Sequence, residues 1–143
     1  MANTVMTSFK KELMEGIHDF ETGGGGDTFK LALYSSSSSI NDAATAIYET
    51  ADEVSNSGTY AAGGGTLAGQ AVSTSGTTAI CDFDDLEFTS ATINARYALI
   101  YNSSETNKAV CVLDFSTDQI STAGTFKIDF PVSGASTSII RVA

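Results

Sequence analysis

Apolar residues at the start of the chain recur at helical spacing. Val5, Phe9 and Leu13 stand four apart, with Met6 and Ile17 flanking the same stripe, and this predicts a helix from Asn3 to Gly16. Thr4 or Thr7 is placed to cap it and Gly16 to end it. A helix this short is marginal alone, so its apolar stripe must dock on the body or on another subunit. Glycines 23 to 26 follow, a sequence with little intrinsic structure. The expected organisation is a helical anchor over residues 1–22, a glycine-rich joint over 23–27 and a β domain over 28–143.

Beyond the joint the period changes to two. Phe29, Leu31 and Leu33 alternate with Thr28, Lys30 and Ala32, a half-buried strand that the serine run 35–39 ends. Residues 41–54 read as loop plus a short strand, and glycines 58, 63, 64, 65, 69 and 76 set turns around a strand near Leu67 to Val72. Thr78 to Phe88 carries Ile80, Phe83, Leu86 and Phe88. Ile93 to Tyr101 and Ala109 to Phe115 alternate cleanly across the turn Asn102–Asn107, which marks an antiparallel hairpin. A further strand opens at Gly124 and stops at Pro131, and Ser138 to Val142 supplies a last one. The pattern predicts a mainly β fold, an antiparallel sandwich or partly closed barrel of about seven short strands, with an N-terminal α-helix on a glycine-rich tether.

At 143 residues the chain is long enough for one domain that buries roughly 68–70% of its unfolded surface. Seven Lys and Arg stand against 17 Asp and Glu, a net charge of −10. Nucleic acid is therefore not an expected partner, since its binding needs a basic stripe. Met1 to Lys11 lacks the pattern of an export signal, and the most apolar stretch, Tyr97 to Tyr101, is far below the roughly 20 residues of a spanning helix, so no membrane association is expected. Between Leu31 and Ala95 there is no Lys or Arg, while Asp42, Glu49, Asp52, Glu53, Asp82, Asp84, Asp85 and Glu87 lie there. Such a one-signed middle must face solvent or a basic partner.

The candidate chemistry reads as structural. His18, the single histidine, sits beside Asp19, but no Gly-x-Ser-x-Gly elbow exists and a locally hydrogen-bonded histidine is expected rather than a catalytic one. Asp82, Asp84, Asp85 and Glu87 offer oxygens for a cation, yet their spacing departs from the calcium-loop pattern, and a solvent-facing acidic edge is the favoured reading. Gly63-x-Gly65-x-x-Ala68 matches a dinucleotide fingerprint in letters, without the strand before it or the helix after it. Cys81 and Cys111 share parity with core residues and read as buried free thiols rather than a disulfide. No catalytic residue, cofactor or metal is expected.

Several blocks together carry a resemblance. Ser8-Phe9-Lys10, Gly16-Ile-His-Asp-Phe20 and Gly26-Asp-Thr-Phe-Lys-Leu-Ala-Leu-Tyr34 open it; Glu53-Val54, Gly58-Thr-Tyr60 and Gly63-Gly64 continue it. Ala95 to Ser104, Ala109 to Phe115 and Phe130-Pro131 complete it, with Tyr97 where a glycine is expected. Over nearly its whole length the chain resembles a family of small structural virion proteins of tailed bacteriophages, of marine and cyanophage type. The resemblance implies a capsid decoration or cement protein, assembled in the host cytoplasm and placed on the capsid exterior. Its partners would be the major capsid protein or other virion proteins, and further copies of itself as a homo-oligomer, a trimer among the options. Val5, Met6, Phe9, Leu13 and Ile17 are the expected partner-binding residues of the anchor. A neck, collar or tail component is the alternative, and a small glycan-binding or glycan-cleaving β domain the second alternative.

Overall fold

A computed structural model describes residues 3–22 and 25–143. The chain order is β1 (Thr4–Val5), α1 (Thr7–Met14), β2 (Phe29–Tyr34), β3 (Gly65–Thr66), β4 (Ala71–Ser75), β5 (Thr78–Asp82), β6 (Leu86–Asn102), β7 (Lys108–Ile128) and β8 (Ile140–Val142). All strand pairs are antiparallel and form two sheets, a five-stranded one in the order β1-β7-β6-β2-β3 and a three-stranded one in the order β4-β5-β8. The mainly β architecture with an N-terminal helix is thus observed. The sheets do not close into a barrel, and one hydrophobic core gathers residues from both, from Phe29 and Leu99 to Cys81 and Ile140.

The central hairpin follows the expectation. β6 and β7 pair from Asn102↔Lys108 inward, and Thr106 and Asn107 at the turn take positive φ values of 52° and 60°. Asn tolerates that region better than most residues. β2 lies between β6 and β3, and its inner residues are buried on both faces, so Ala32 and Tyr34 lie in the core although the alternation suggested a half-buried strand. Against β2 runs Gly64, φ 74°, where a Cβ would stand 1.8 Å from the Leu31 carbonyl oxygen. Only glycine fits that approach.

Two of the expected short strands are parts of longer ones. β7 runs unbroken for 21 residues and Gly124, expected to open a new strand, pairs with Ala91 inside it. Bulges let so long a ribbon bend: the β6–β7 register shifts near Ala91 and Tyr97, and Ser90, Ser116 and Ala123 adopt positive φ. Conversely, the run Thr78 to Phe88 is divided at Phe83–Asp85 between β5 and β6, which belong to different sheets.

The N-terminal segment departs most from expectation. Thr4 and Val5 are not helical; they form an edge strand paired to Val112 and Cys111. The helix begins only at Thr7, after Met6, with no side-chain cap from either threonine. It ends as expected at Gly16, φ 69°, where the Ile17 amide bonds to the Glu12 carbonyl and the Gly16 amide to the Leu13 carbonyl. That pair of bonds is the glycine-terminated cap that satisfies the last free carbonyls. Met6 and Phe9 are 0% and 2% exposed in the shared core, so residues 3–22 belong to the body and are not a separate anchor. Of the expected joint, Gly23 and Gly24 lie outside the described residues. Gly26 is packed: a Cβ there would meet the Glu21 carbonyl oxygen at 2.2 Å.

Candidate functional site

α1 turns Phe9 into the core and leaves Lys10 and Met14 outside, because residues one or five positions from Phe9 on a helix point away from its side. β8, at the edge of the three-stranded sheet, passes alongside. Between them lies a groove of about 630 Å³ whose floor is Phe9, Val110 and Cys111, with Leu13 and Met14 on one side and Ile140 and Val142 on the other. A smaller hollow of about 100 Å³ shares Leu13, Ile140 and Val142 and continues to Val72 and Phe20. Seven large apolar side chains are exposed among the described residues, and four of them, Val5, Met14, Val72 and Val142, line these two hollows. Scattered exposed apolar residues mean little, but a contiguous set marks an interface.

The electrostatics of this face are distinct from the rest of the molecule. Four of the seven basic residues are held by carboxylates: Lys11 by Glu15, Arg96 by Asp114 at 2.7 Å, Lys108 by Glu12 at 3.3 Å and Lys127 by Asp85 and Asp129. Among the described residues Lys10, Lys30 and Arg141 have no such partner, and Lys10 and Arg141 both stand on the rim of the groove. Six of the eight carboxylates between Leu31 and Ala95 are exposed; Glu53 and Asp82 are half-buried. The result is an apolar strip with two cations that no carboxylate holds, Arg141 donating only to the Ala135 carbonyl at 3.3 Å, on a chain of net charge −10.

The expected partner-binding residues divide. Val5 and Leu13 line the groove and Phe9 forms its floor, whereas Met6 is enclosed in the core and Ile17 is half-buried at the helix cap, away from it. The stripe at helical spacing therefore marks mostly what faces the chain's own core. Met14 and Val142 are the residues the sequence pattern passed over. The available signal was an apolar Val142 two positions beyond Ile140 in a strand, where both point to one side.

His18 is buried and fully engaged. Its Nε2 donates to Glu12 Oε2 at 2.8 Å, and its Nδ1 accepts from Asn102 Nδ2 at 3.0 Å, while its ring packs 4.9 Å from Phe9. Asn102 also donates to Asp27 Oδ2 at 2.7 Å, and Lys108 reaches the other oxygen of Glu12. With both ring nitrogens committed, the histidine acts as a buried clamp.

The acidic cluster is dispersed: Asp82 ends β5, Asp85 accepts from the Phe130 amide and from Lys127, and Glu87 is exposed on β6. No group of three His, Cys, Asp or Glu among the described residues is arranged to hold a metal. The Gly63–Gly65 stretch is a packing turn, with the Gly63 amide donating to Glu53 and its carbonyl accepting from Tyr101. Cys81 and Cys111 are buried free thiols, each with its pKa pushed by burial up to about 12.

One constellation had no precedent in the sequence pattern. The Glu53 carboxylate accepts from Tyr48 at 2.6 Å, from Tyr60 at 2.7 Å and from the Gly63 amide at 2.7 Å. Tyr60 in turn accepts from the Leu33 amide of β2 at 2.9 Å. Glu53 thereby fastens the long 41–64 connection to the sheet.

The chain matches no protein-family model, no curated protein and no solved structure.

Proposed function

We propose that this protein is a structural subunit of a tailed-phage virion, a capsid decoration protein that sits on the outside of the shell in many copies and joins its neighbours through the α1–β8 face. The observation that carries the reading is the coincidence of four exposed apolar side chains with two cations that no carboxylate holds on one face. An interface built this way has an apolar centre and a charged rim, the common anatomy of protein contacts. Repetition on a symmetric shell turns many modest contacts into a strong assembly. The exposed carboxylates would point to solvent on the finished particle and keep particles apart.

The sequence resemblance supports the same reading. Its blocks coincide with β2, with the two halves of the β6–β7 hairpin and with the turn at Gly63-Gly64, so they encode one architecture rather than a catalytic set. The test is incorporation: virions assembled with Met14→Asp or Val142→Asp should carry the protein at about a tenth of the normal level, since burying each side chain contributes about 1.5–3 kcal/mol. Normal incorporation of both variants would refute the role given to this face.

A further inference from the structure

The groove has a complement on the same molecule. Asp118 and Ile120 lie two apart on β7; Ile120 pairs with Asn94 of β6, and Asp118 stands at the bulge between the Tyr97↔Asp114 and Ala95↔Gln119 pairs. Ile120 is 69% exposed and Asp118 is exposed beside it. Asp118 has no ion pair among the described residues, and Arg96 on the neighbouring strand is already held by Asp114. The ridge thus presents an apolar side chain two residues from a carboxylate that no cation holds in an ion pair, while the groove presents an apolar floor next to two cations that no carboxylate holds. Of the other exposed apolar residues, Val132 has Asp129 nearby, but Lys127 holds it; Ile47, with exposed Glu49 two residues on, is less exposed at 47% and bridges to Lys108.

We infer that the groove is occupied by the Asp118–Ile120 ridge of a second copy of this chain, with Ile120 on the Phe9–Val110 floor and Asp118 against Lys10 or Arg141. Charge selects this occupant. Two copies of a chain with net charge −10 repel over most of their surfaces, and the rim of the groove is where a carboxylate of another copy meets cations without a carboxylate partner. Ridge and groove are different surfaces, so the contact is heterologous: each copy that uses its ridge still offers its groove. Such contacts close into a ring or run on as a chain. The inference rests on the reading of the α1–β8 face as an interface and is independent of where the protein sits in a virion.

The experiment is sedimentation equilibrium of the purified full chain up to about 200 μM, a range that detects contacts weaker than about 10 μM. The expected result is self-association that Ile120→Asp, Asp118→Lys and Val142→Asp each weaken by at least about tenfold, with melting temperatures within a few degrees of the parent because all three side chains are exposed. Mixing Ile120→Asp, which keeps its groove, with Val142→Asp, which keeps its ridge, should restore a dimer and nothing larger. Met14→Asp takes the place of Val142→Asp if that variant melts early. A parent chain that stays monomeric at the highest concentration overturns the inference. So does association that Ile120→Asp leaves intact, since that outcome means the apolar faces meet each other directly. Either failure leaves the incorporation test of the preceding section standing, because a monomer could still seat this face on a shell protein.

Discussion

Asn102 Nδ2 stands 3.0 Å from His18 Nδ1, a buried hydrogen bond between residues 84 positions apart. It ties the N-terminal segment to the end of β6, and the same asparagine uses its Oδ1 to accept the Ser104 and Glu105 amides at the hairpin turn. Removing its side chain therefore leaves a buried imidazole nitrogen, the Asp27 carboxylate and two turn amides without their partner. Asn102→Ala should lower stability by about 2–4 kcal/mol, seen as a lower urea midpoint with an unchanged slope. For the same reason, a chain lacking residues 3–22 should fail to fold, because Met6 and Phe9 leave the core with the segment. A truncated chain with a cooperative unfolding transition and native-like near-ultraviolet signal would show that the β body stands alone.

Glu53 holds two phenols and an amide at once, so its loss is felt more than that of a surface carboxylate. Glu53→Ala should cost about 2–4 kcal/mol, and Tyr60→Phe, which keeps the ring against Phe88, about 1–2 kcal/mol. The double variant should cost less than the sum, since both changes break one bond. Additivity in that cycle would mean the Tyr60–Glu53 bond contributes nothing.

Alkaline pH should unfold the protein. Burial, with the Glu53 charge as a further cause, raises the phenols of Tyr34 and Tyr101, the latter to about 12, and burial is the leading cause that raises those of Tyr48 and Tyr60 as well. Cys81 and Cys111 are raised to about 12. Each raised group favours the protonated folded form, so its contribution is complete below the unfolded values of about 9 for thiol and 10 for phenol and is lost as pH rises beyond them. Stability should be level with respect to these groups near neutrality and fall from about pH 9 upward, with phenolate absorbance appearing together with unfolding rather than before it. Early ionisation of these phenols in the folded protein would contradict their burial.

The thiols give a simple check of the core. Cys111 lies on the groove floor with 2% exposure and Cys81 shows 4%. A thiol reagent should modify neither at neutral pH in the native protein and both after denaturation, and a reducing agent should leave the melting temperature unchanged. Rapid native labelling would mean the groove floor opens.

The parts of this structure legible in the sequence are those fixed by local chemistry. The alternation at Phe29–Leu33 reports a strand, though one buried on both faces, and the polar residues of Asn102–Asn107 report a turn that demands left-handed conformations. Gly16 reports a helix end for an equally local reason. The misreadings come from tertiary context. Val5 sits at helical spacing from Phe9, yet its backbone is claimed by Cys111 of β7, and β-branched Thr4 and Val5 suit that edge. The stretch Ser116–Ile120 is exposed throughout, so it carries no alternation by which to recognise the middle of β7. The groove joins residues 5–14 to residues 140–142, and no spacing rule connects them. Glu53 likewise finds Tyr48 and Tyr60 because a loop crosses β2, a fact of topology and not of pattern.

As a decoration protein this chain would occupy the capsid shell in many copies. The direct measurement is cryo-electron microscopy of purified virions together with a mass-spectrometric count of this protein against the major capsid protein. A decoration protein should give density at symmetry-repeated positions over the whole outer shell and a copy number in the hundreds, as expected for a subunit on a lattice of many equivalent sites. A small number of copies confined to the tail vertex, or none in the particle, would contradict it.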